Sequence, residues 1–245
     1  MTRLYRRAGR AGFGNAAATD GAAARPARPL KRPSQQRARF TVAAIYEAFV
    51  RIWQARGWAG VTTRAVALEA GCSVGTLYEY FPNKEALLSG FVRHAIERLL
   101  ARIEDEAAHA PAADWRERVG RLVRLCCSAE DGAWTAYDRD MMALEARIAE
   151  PKHHQRFFEE LCAAWLRVLA ACPDLPRQPD AAVVASLAQA VWGARRYRLL
   201  LAPVPPASDW ALQMERFCVL ALEQACGIGA GPPPGPHPGP HPRPQ

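Results

Sequence analysis

The residues able to do chemistry in this 245-residue chain gather in one stretch, TTRAVALEAGCSVGTLYEYFPNKEALL, from Thr62 to Leu88. Their chemistry is hydrogen bonding and charge. Ser73, Gly75 and Thr76 are small enough to let a surface approach closely. The hydroxyls of Tyr78 and Tyr80 can donate to phosphates, and Arg64 and Lys84 add mobile positive charge. The pieces of an enzyme are missing: there is no HExxH, no Gly-x-Ser-x-Gly and no P-loop, and Gly9, Gly12 and Gly14 follow no strand. Asp138 and Asp140, two apart, diverge on a helix and cannot act as a pair. No catalytic residue, metal ligand or cofactor is therefore expected, and an all-α enzyme stands only as a remote alternative.

These side chains must be held by helices. Ile45, Ala48, Phe49, Ile52, Trp53 and Arg56 recur at helical spacing, and Gly57 stops the run. Thr62 caps a second, short helix that turns Val66, Ala67 and Ala70 inward and ends at Gly71. Ser73 caps a third that buries Leu77 and Phe81 before Pro82, and Asn83 caps a fourth carrying Leu87, Leu88, Phe91 and Ala95 on one side. A short helix, a glycine turn and a second short helix make a helix-turn-helix, whose second helix fits a major groove about 12 Å wide. The free N–H groups at that helix's start favour a phosphate.

Charge agrees with this placement. Of the net +8, the segment through Pro33 holds eight basic residues against Asp20 alone, and Ser34 to Leu100 holds eight against five, which leaves −2 for the rest. Contact with a polyanion belongs at the N-terminal end. A nonspecific DNA binder working through the Arg-rich tail is the alternative from this charge; the organised helix-turn-helix argues against it.

Further helices are expected at roughly 83–109, 114–129, 131–149, 152–171, 180–201 and 208–226, with Pro111, Pro151, Pro173 and the cluster of Pro203, Pro205 and Pro206 between them. No segment alternates like a strand, so the fold class is all-α. The expected organisation is a basic disordered tail at 1–33, a three-helix helix-turn-helix DNA-binding domain at 34–82, a helical ligand-binding and dimerisation domain at 83–226, and a disordered Pro/Gly/His tail at 227–245. The seven cysteines are odd in number and lack CxxC spacing, and the basic N-terminus lacks an apolar signal core. A reduced, cytoplasmic protein without a membrane span is expected.

The segment resembles the TetR/AcrR family of bacterial regulators through Gly57, Thr62, Arg64, Ala67, Gly71, Ser73, Gly75-Thr76-Leu77-Tyr78, Tyr80-Phe81 and Asn83-Lys84-Glu85-Ala86-Leu87. The resemblance covers roughly Arg37 to Arg98. It implies an all-α homodimer that binds a palindromic operator in double-stranded DNA, and a repressor released by an unidentified small-molecule effector. It also implies that Thr63, Arg64, Ser73, Gly75, Thr76, Tyr78, Tyr80 and Lys84 touch DNA. Two positions depart from the family pattern. Cys72 replaces an aliphatic turn residue and reads as a small buried side chain, not a thiol sensor. Glu79 puts a carboxylate on the recognition helix, where it either accepts from cytosine N4 or points aside to solvent; the second reading is favoured.

Trp115, Trp134, Tyr137, Met141, Phe157, Phe158, Trp165 and Trp192 are the candidate walls of a ligand pocket, although aromatic residues at helical spacing fill cores by default. Together they suit a largely apolar effector, with His153 or His154 as polar handles. The last two helices are rich in Ala, Leu and Val, including Val184, Leu187, Val191, Leu212, Phe217 and Leu220, and suit a four-helix dimer interface. Arg195, Arg196 and Arg198 are expected on its rim.

Overall fold

The structure is a computed structural model that describes residues 36–127, 137–201 and 207–228. Among these residues every regular element is helical. The expected tails at 1–33 and beyond Ile228 lie outside the described residues, as do 131–136 of the expected helix at 131–149.

Helix α1 (Gln36–Gly60) is broken at Gly57, where φ of 59° turns the chain. The break is where glycine was expected to stop the helix; one further turn follows it. Helices α2 (Thr63–Glu69) and α3 (Val74–Tyr80) begin at the expected caps: Thr62 Oγ1 accepts from Ala65 N at 3.0 Å and Ser73 Oγ from Thr76 N at 2.9 Å. Between them Gly71, at φ 68°, closes α2. Its N–H donates to Leu68 O and that of Cys72 to Ala67 O, so two carbonyls of the last turn are satisfied. A side chain at Gly71 would force that left-handed geometry on a Cβ.

Asn83 caps α4 (Lys84–Arg102), accepting from Ala86 N at 2.7 Å. Ile45, Phe49, Val66, Leu77, Phe81 and Phe91 are its shared core with α1 to α3, with the Phe49 and Phe91 rings 5.2 Å apart. Beyond Arg102 the helix widens into a π-helical turn, Ile103–His109. Arg118 Nη1 donates to the carbonyls of Ala107 and Ala108 at its end, supplying from outside what the helix no longer supplies.

The C-terminal part comprises α5 (Trp115–Cys127), α6 (Arg139–Ile148), α7 (Pro151–Ala170), α8 (Ala181–Arg198) and α9 (Ala207–Cys226). Helix α5 is the hub, in contact with α7, α8, α9 and the π-helical turn. Its inward face of Val119, Leu122, Val123 and Cys126 packs beside Leu161 and Trp165. Pro151 opens α7 in the first turn, where its missing N–H costs nothing. Gly227, at φ 73°, ends α9 as Gly71 ends α2.

Candidate nucleic-acid interface and internal cavity

The turn between α2 and α3 presents one exposed surface. Arg64, Ser73, Gly75 and Tyr78 are exposed, and Thr63, Thr76 and Lys84 are half-buried beside them. A hydroxyl pair fixes the two helices to each other: Thr63 Oγ1 and Tyr78 Oη lie 3.1 Å apart. A second pair, Ser73 Oγ and Thr76 Oγ1 at 2.9 Å, holds the first turn of α3. A Cβ on Gly75 would meet only Ser73 Oγ, at 3.6 Å, so the glycine leaves its space to whatever the helix faces.

The structure differs from the sequence reading at two of these residues. Tyr80, expected beside Tyr78 on the outer face, is 6% exposed, with its ring centroid 6.3 Å from that of Phe81. The reason is helical period: Tyr80 stands three residues after the buried Leu77 and so shares its inward side. Lys84, expected to be mobile, lies over the Trp58 ring at 4.2 Å and donates from Nζ to Trp58 O at 3.4 Å. Trp58 was missed; its only signal was an aromatic residue next to the helix-breaking Gly57. Glu79 is exposed on α3. Cys72 is half-buried, and burial raises its thiol pKa against a partial lowering by its own backbone N–H, so a thiolate is disfavoured.

A cavity of about 420 Å³ lies between α4, α6, α7 and α8. Val92, Ile96, Ile148, Phe157, Phe158 and Trp192 form most of its apolar wall, and the Phe157 and Trp192 rings stand 4.7 Å apart. Of the residues expected in a pocket, Tyr137, Phe157, Phe158 and Trp192 line it, as do both His153 and His154. Trp115, Met141 and Trp165 do not: all three are buried in the helical core. Trp134 lies outside the described residues.

The polar end of the cavity was not legible in the sequence. Glu145 is 9% exposed; its carboxylate accepts from Tyr137 Oη and, at 3.0 Å, from Arg196 Nη1, which also reaches Tyr137 Oη at 3.1 Å. Burial raises the Tyr137 pKa far above its ordinary range and the Glu145 charge adds to it, so this phenol stays protonated and donates. Burial pulls the Arg196 pKa down, but the Tyr137 and Glu145 oxygens outweigh it and the net shift is upward. Of the arginines expected on an interface rim, Arg195 and Arg196 therefore face inward. Arg195, 9% exposed, lies over the Trp192 ring at 4.9 Å, and burial pulls its pKa down to about 10; Arg198 lies over Trp210.

The comparisons with known proteins follow the same division. Residues 45–90 match the model of the bacterial regulatory proteins of the tetR family. The chain is 30% identical over 148 residues to the HTH-type transcriptional regulator BetI of Rhizobium meliloti, covering 57% of this chain and 70% of that protein. It is 39% identical over 83 residues to the HTH-type transcriptional repressor KstR of Mycolicibacterium smegmatis, covering 33% of this chain and 40% of that protein. The fold matches that of Salmonella enterica GusR with a TM-score of 0.56 at 16% identity, over 80% of this chain and 100% of that one. With its helix-turn-helix, its all-helical C-terminal part and these relatives, the chain belongs to the TetR family of DNA-binding transcription regulators.

Proposed function

We propose that the protein is a homodimeric repressor of the bacterial cytoplasm that covers a palindromic operator and leaves it when a small, largely apolar ligand fills the cavity behind α4. The observation that carries this reading is the exposed edge of α2 and α3, where Thr63, Arg64, Ser73, Gly75, Thr76 and Tyr78 form one surface beside Lys84. In this reading Lys84, Arg64, Thr63 and Tyr78 hold phosphates, and Ser73, Gly75 and Thr76 meet base edges. Tyr80 acts through packing. The likeness to transcriptional regulators supports regulation over catalysis.

The outer faces of α8 and α9 support the dimer. Leu212, Phe217 and Leu220 are exposed on α9, Leu220 by 65%. On α8 the outward residues Ala182, Ser186 and Gly193 are small, and a Cβ on Gly193 would meet nothing within 4 Å, which leaves room for a second pair of helices. A two-fold pair of recognition helices about 34–36 Å apart reaches successive major grooves.

Selection of bound sites from a random-sequence DNA library, followed by titration of the selected and scrambled sequences at several salt concentrations, tests the reading. A palindromic site preferred by a factor on the order of 10³ or more is expected. Equal affinity for selected and scrambled DNA would leave only tail-driven, nonspecific binding.

A further inference from the structure

The charges around the cavity are layered. Arg93, Arg156 and Arg196 all line it, whereas Glu97 and Glu160, which balance two of them, do not. Glu160 accepts from Arg93 Nη1 and Nη2 at 2.8 and 3.3 Å and from Arg156 Nε at 2.9 Å, and Glu97 accepts from Arg93 Nε at 2.8 Å. The guanidinium groups thus stand in the wall with their carboxylates behind them. Glu145 is the carboxylate in the wall itself: its Oε2 already accepts from Tyr137 and Arg196, and His154 Nδ1 stands 3.8 Å from its Oε1.

Donors remain on this wall. Arg196 uses Nη1 alone and Arg156 uses Nε alone, so Nε and Nη2 of Arg196 and both terminal nitrogens of Arg156 have no acceptor among the described residues. A purely apolar occupant would cover the half-buried Arg196 donors without replacing the water they bind, which costs more for a charged group than for a neutral one. An ammonium would meet three guanidinium groups against the one carboxylate in the wall, Glu145, whose Oε2 already accepts twice. A carboxylate would receive charge-assisted, fork-shaped hydrogen bonds.

We propose that the cavity takes an apolar monocarboxylate, an aliphatic or aromatic acid, whose carboxylate sits on the spare guanidinium nitrogens of Arg196 and Arg156 and whose body lies against Phe157, Trp192, Val92 and Ile96. The proposal rests on reading this cavity as the effector site. The cavity volume falls in the range of about 300–1,000 Å³ usual for small-molecule sites.

Calorimetric titration of the full-length protein separates the charge classes on shared bodies: decanoate, decan-1-ol and decylamine, and 4-phenylbutyrate, 4-phenylbutan-1-ol and 4-phenylbutylamine. At least one acid is expected to bind about tenfold or more tightly than its own alcohol and amine, the least that a hydrogen bond to a charged group contributes. Arg156→Gln, an exposed site whose loss leaves the core intact, is expected to remove most of that margin while the alcohol's affinity stays the same. The proposal is overturned when neither acid binds at millimolar concentration, or when no acid that binds exceeds its own alcohol and amine by that factor. DNA affinity measured with the bound acid reports separately: an acid that binds with the expected preference but leaves DNA affinity unchanged upholds the ligand class and removes the effector reading.

Discussion

Trp53 Nε1 donates to Asp138 Oδ2 at 2.8 Å, a hydrogen bond between α1 of the helix-turn-helix bundle and the residue that caps α6. The other oxygen of the same carboxylate accepts from Met141 N at 2.8 Å, so one aspartate starts α6 and ties it to the DNA-binding part. Its neighbour Tyr137 donates into the polar end of the cavity. A ligand that moves Tyr137, directly or through its bond to Glu145, therefore acts one residue away from a bond to α1. Coupling between two sites needs such an element, whose position both can bias.

Asp138→Asn should lose this bond while keeping the cap, and Trp53→Phe should lose it together with part of a buried indole. Loss of the bond is expected to cost about 1.5–3 kcal/mol in each, the range for a hydrogen bond to a charged group. Asp138→Ala should cost about 1 kcal/mol more than Asp138→Asn, because the cap is lost as well. Denaturant titrations of the three variants check this order; equal values for Asn and Ala would show that the cap contributes nothing.

Lys84→Ala should weaken operator and scrambled DNA by similar factors and reduce the slope of log affinity against log salt by about one, since one fewer counterion is released. Its anchoring on Trp58 extends the prediction. Trp58→Leu should lower affinity for both DNAs in the same way with the salt slope unchanged, because the charge remains but its position is no longer held. Filter-binding titrations between 50 and 200 mM salt, roughly the span over which phosphate contacts dominate, measure both effects.

Thr76 should read a base. Its hydroxyl already meets Ser73 Oγ at 2.9 Å, and its methyl suits a thymine methyl. Thr76→Ala is expected to cost about 1–3 kcal/mol on the operator with little loss on scrambled DNA. Thr76→Val, which keeps the methyl, should lose less. Equal weakening of both DNAs by Thr76→Ala would make it a backbone contact. Gly75→Leu should abolish operator binding without lowering the melting temperature, since the space beyond Gly75 is open.

Phe217→Glu and Leu220→Glu should separate the dimer with little effect on the fold, because both side chains are half or more exposed. Light scattering at micromolar concentration reads the mass. A dimer that survives both substitutions places the interface elsewhere. Point variants are the right tool here, since Val184, Leu187 and Val191 of α8 belong to the core and deleting that helix would expose it.

Stability should fall with acid through His94. Burial lowers its pKa from the ordinary 6.5, the Arg98 charge adds to this against Glu97, and its ring stacks on Tyr46 at 4.9 Å. The unfolded chain then binds more protons than the folded one as pH drops below 6.5, so the melting temperature should decline between pH 7 and 5. His94→Gln should make that decline shallower; an unchanged slope would assign the pH dependence to other groups.

Local interactions made the N-terminal architecture readable from the sequence alone. Thr62, Ser73 and Asn83 cap helices because their side-chain oxygens meet N–H groups three residues on, and Gly71 ends α2 because only glycine takes its geometry without cost. The charge asymmetry and the row of small and hydroxylic residues after Gly71 pointed to DNA for the same reason: they depend on neighbours within a few positions. The helical character of the remainder, with its prolines between elements, was equally local.

Tertiary packing decided everything that required residues distant in sequence to meet. Trp165 and Trp192 are both aromatic residues on amphipathic helices, yet one is sealed in the core and the other lines the cavity, because which face meets α5 is set by helix packing and not by spacing. Glu145 and Arg196 are 51 residues apart and look like ordinary surface charges until α6 and α8 bring them together at 3.0 Å. Tyr80, by contrast, was legible from the sequence: helical period puts it on the side of Leu77, which separates the Tyr78 hydroxyl on the outer face from the Tyr80 ring in the core. Sequence periodicity fixes which residues share a face; the neighbours that cover that face are chosen by the long-range burial of apolar surface.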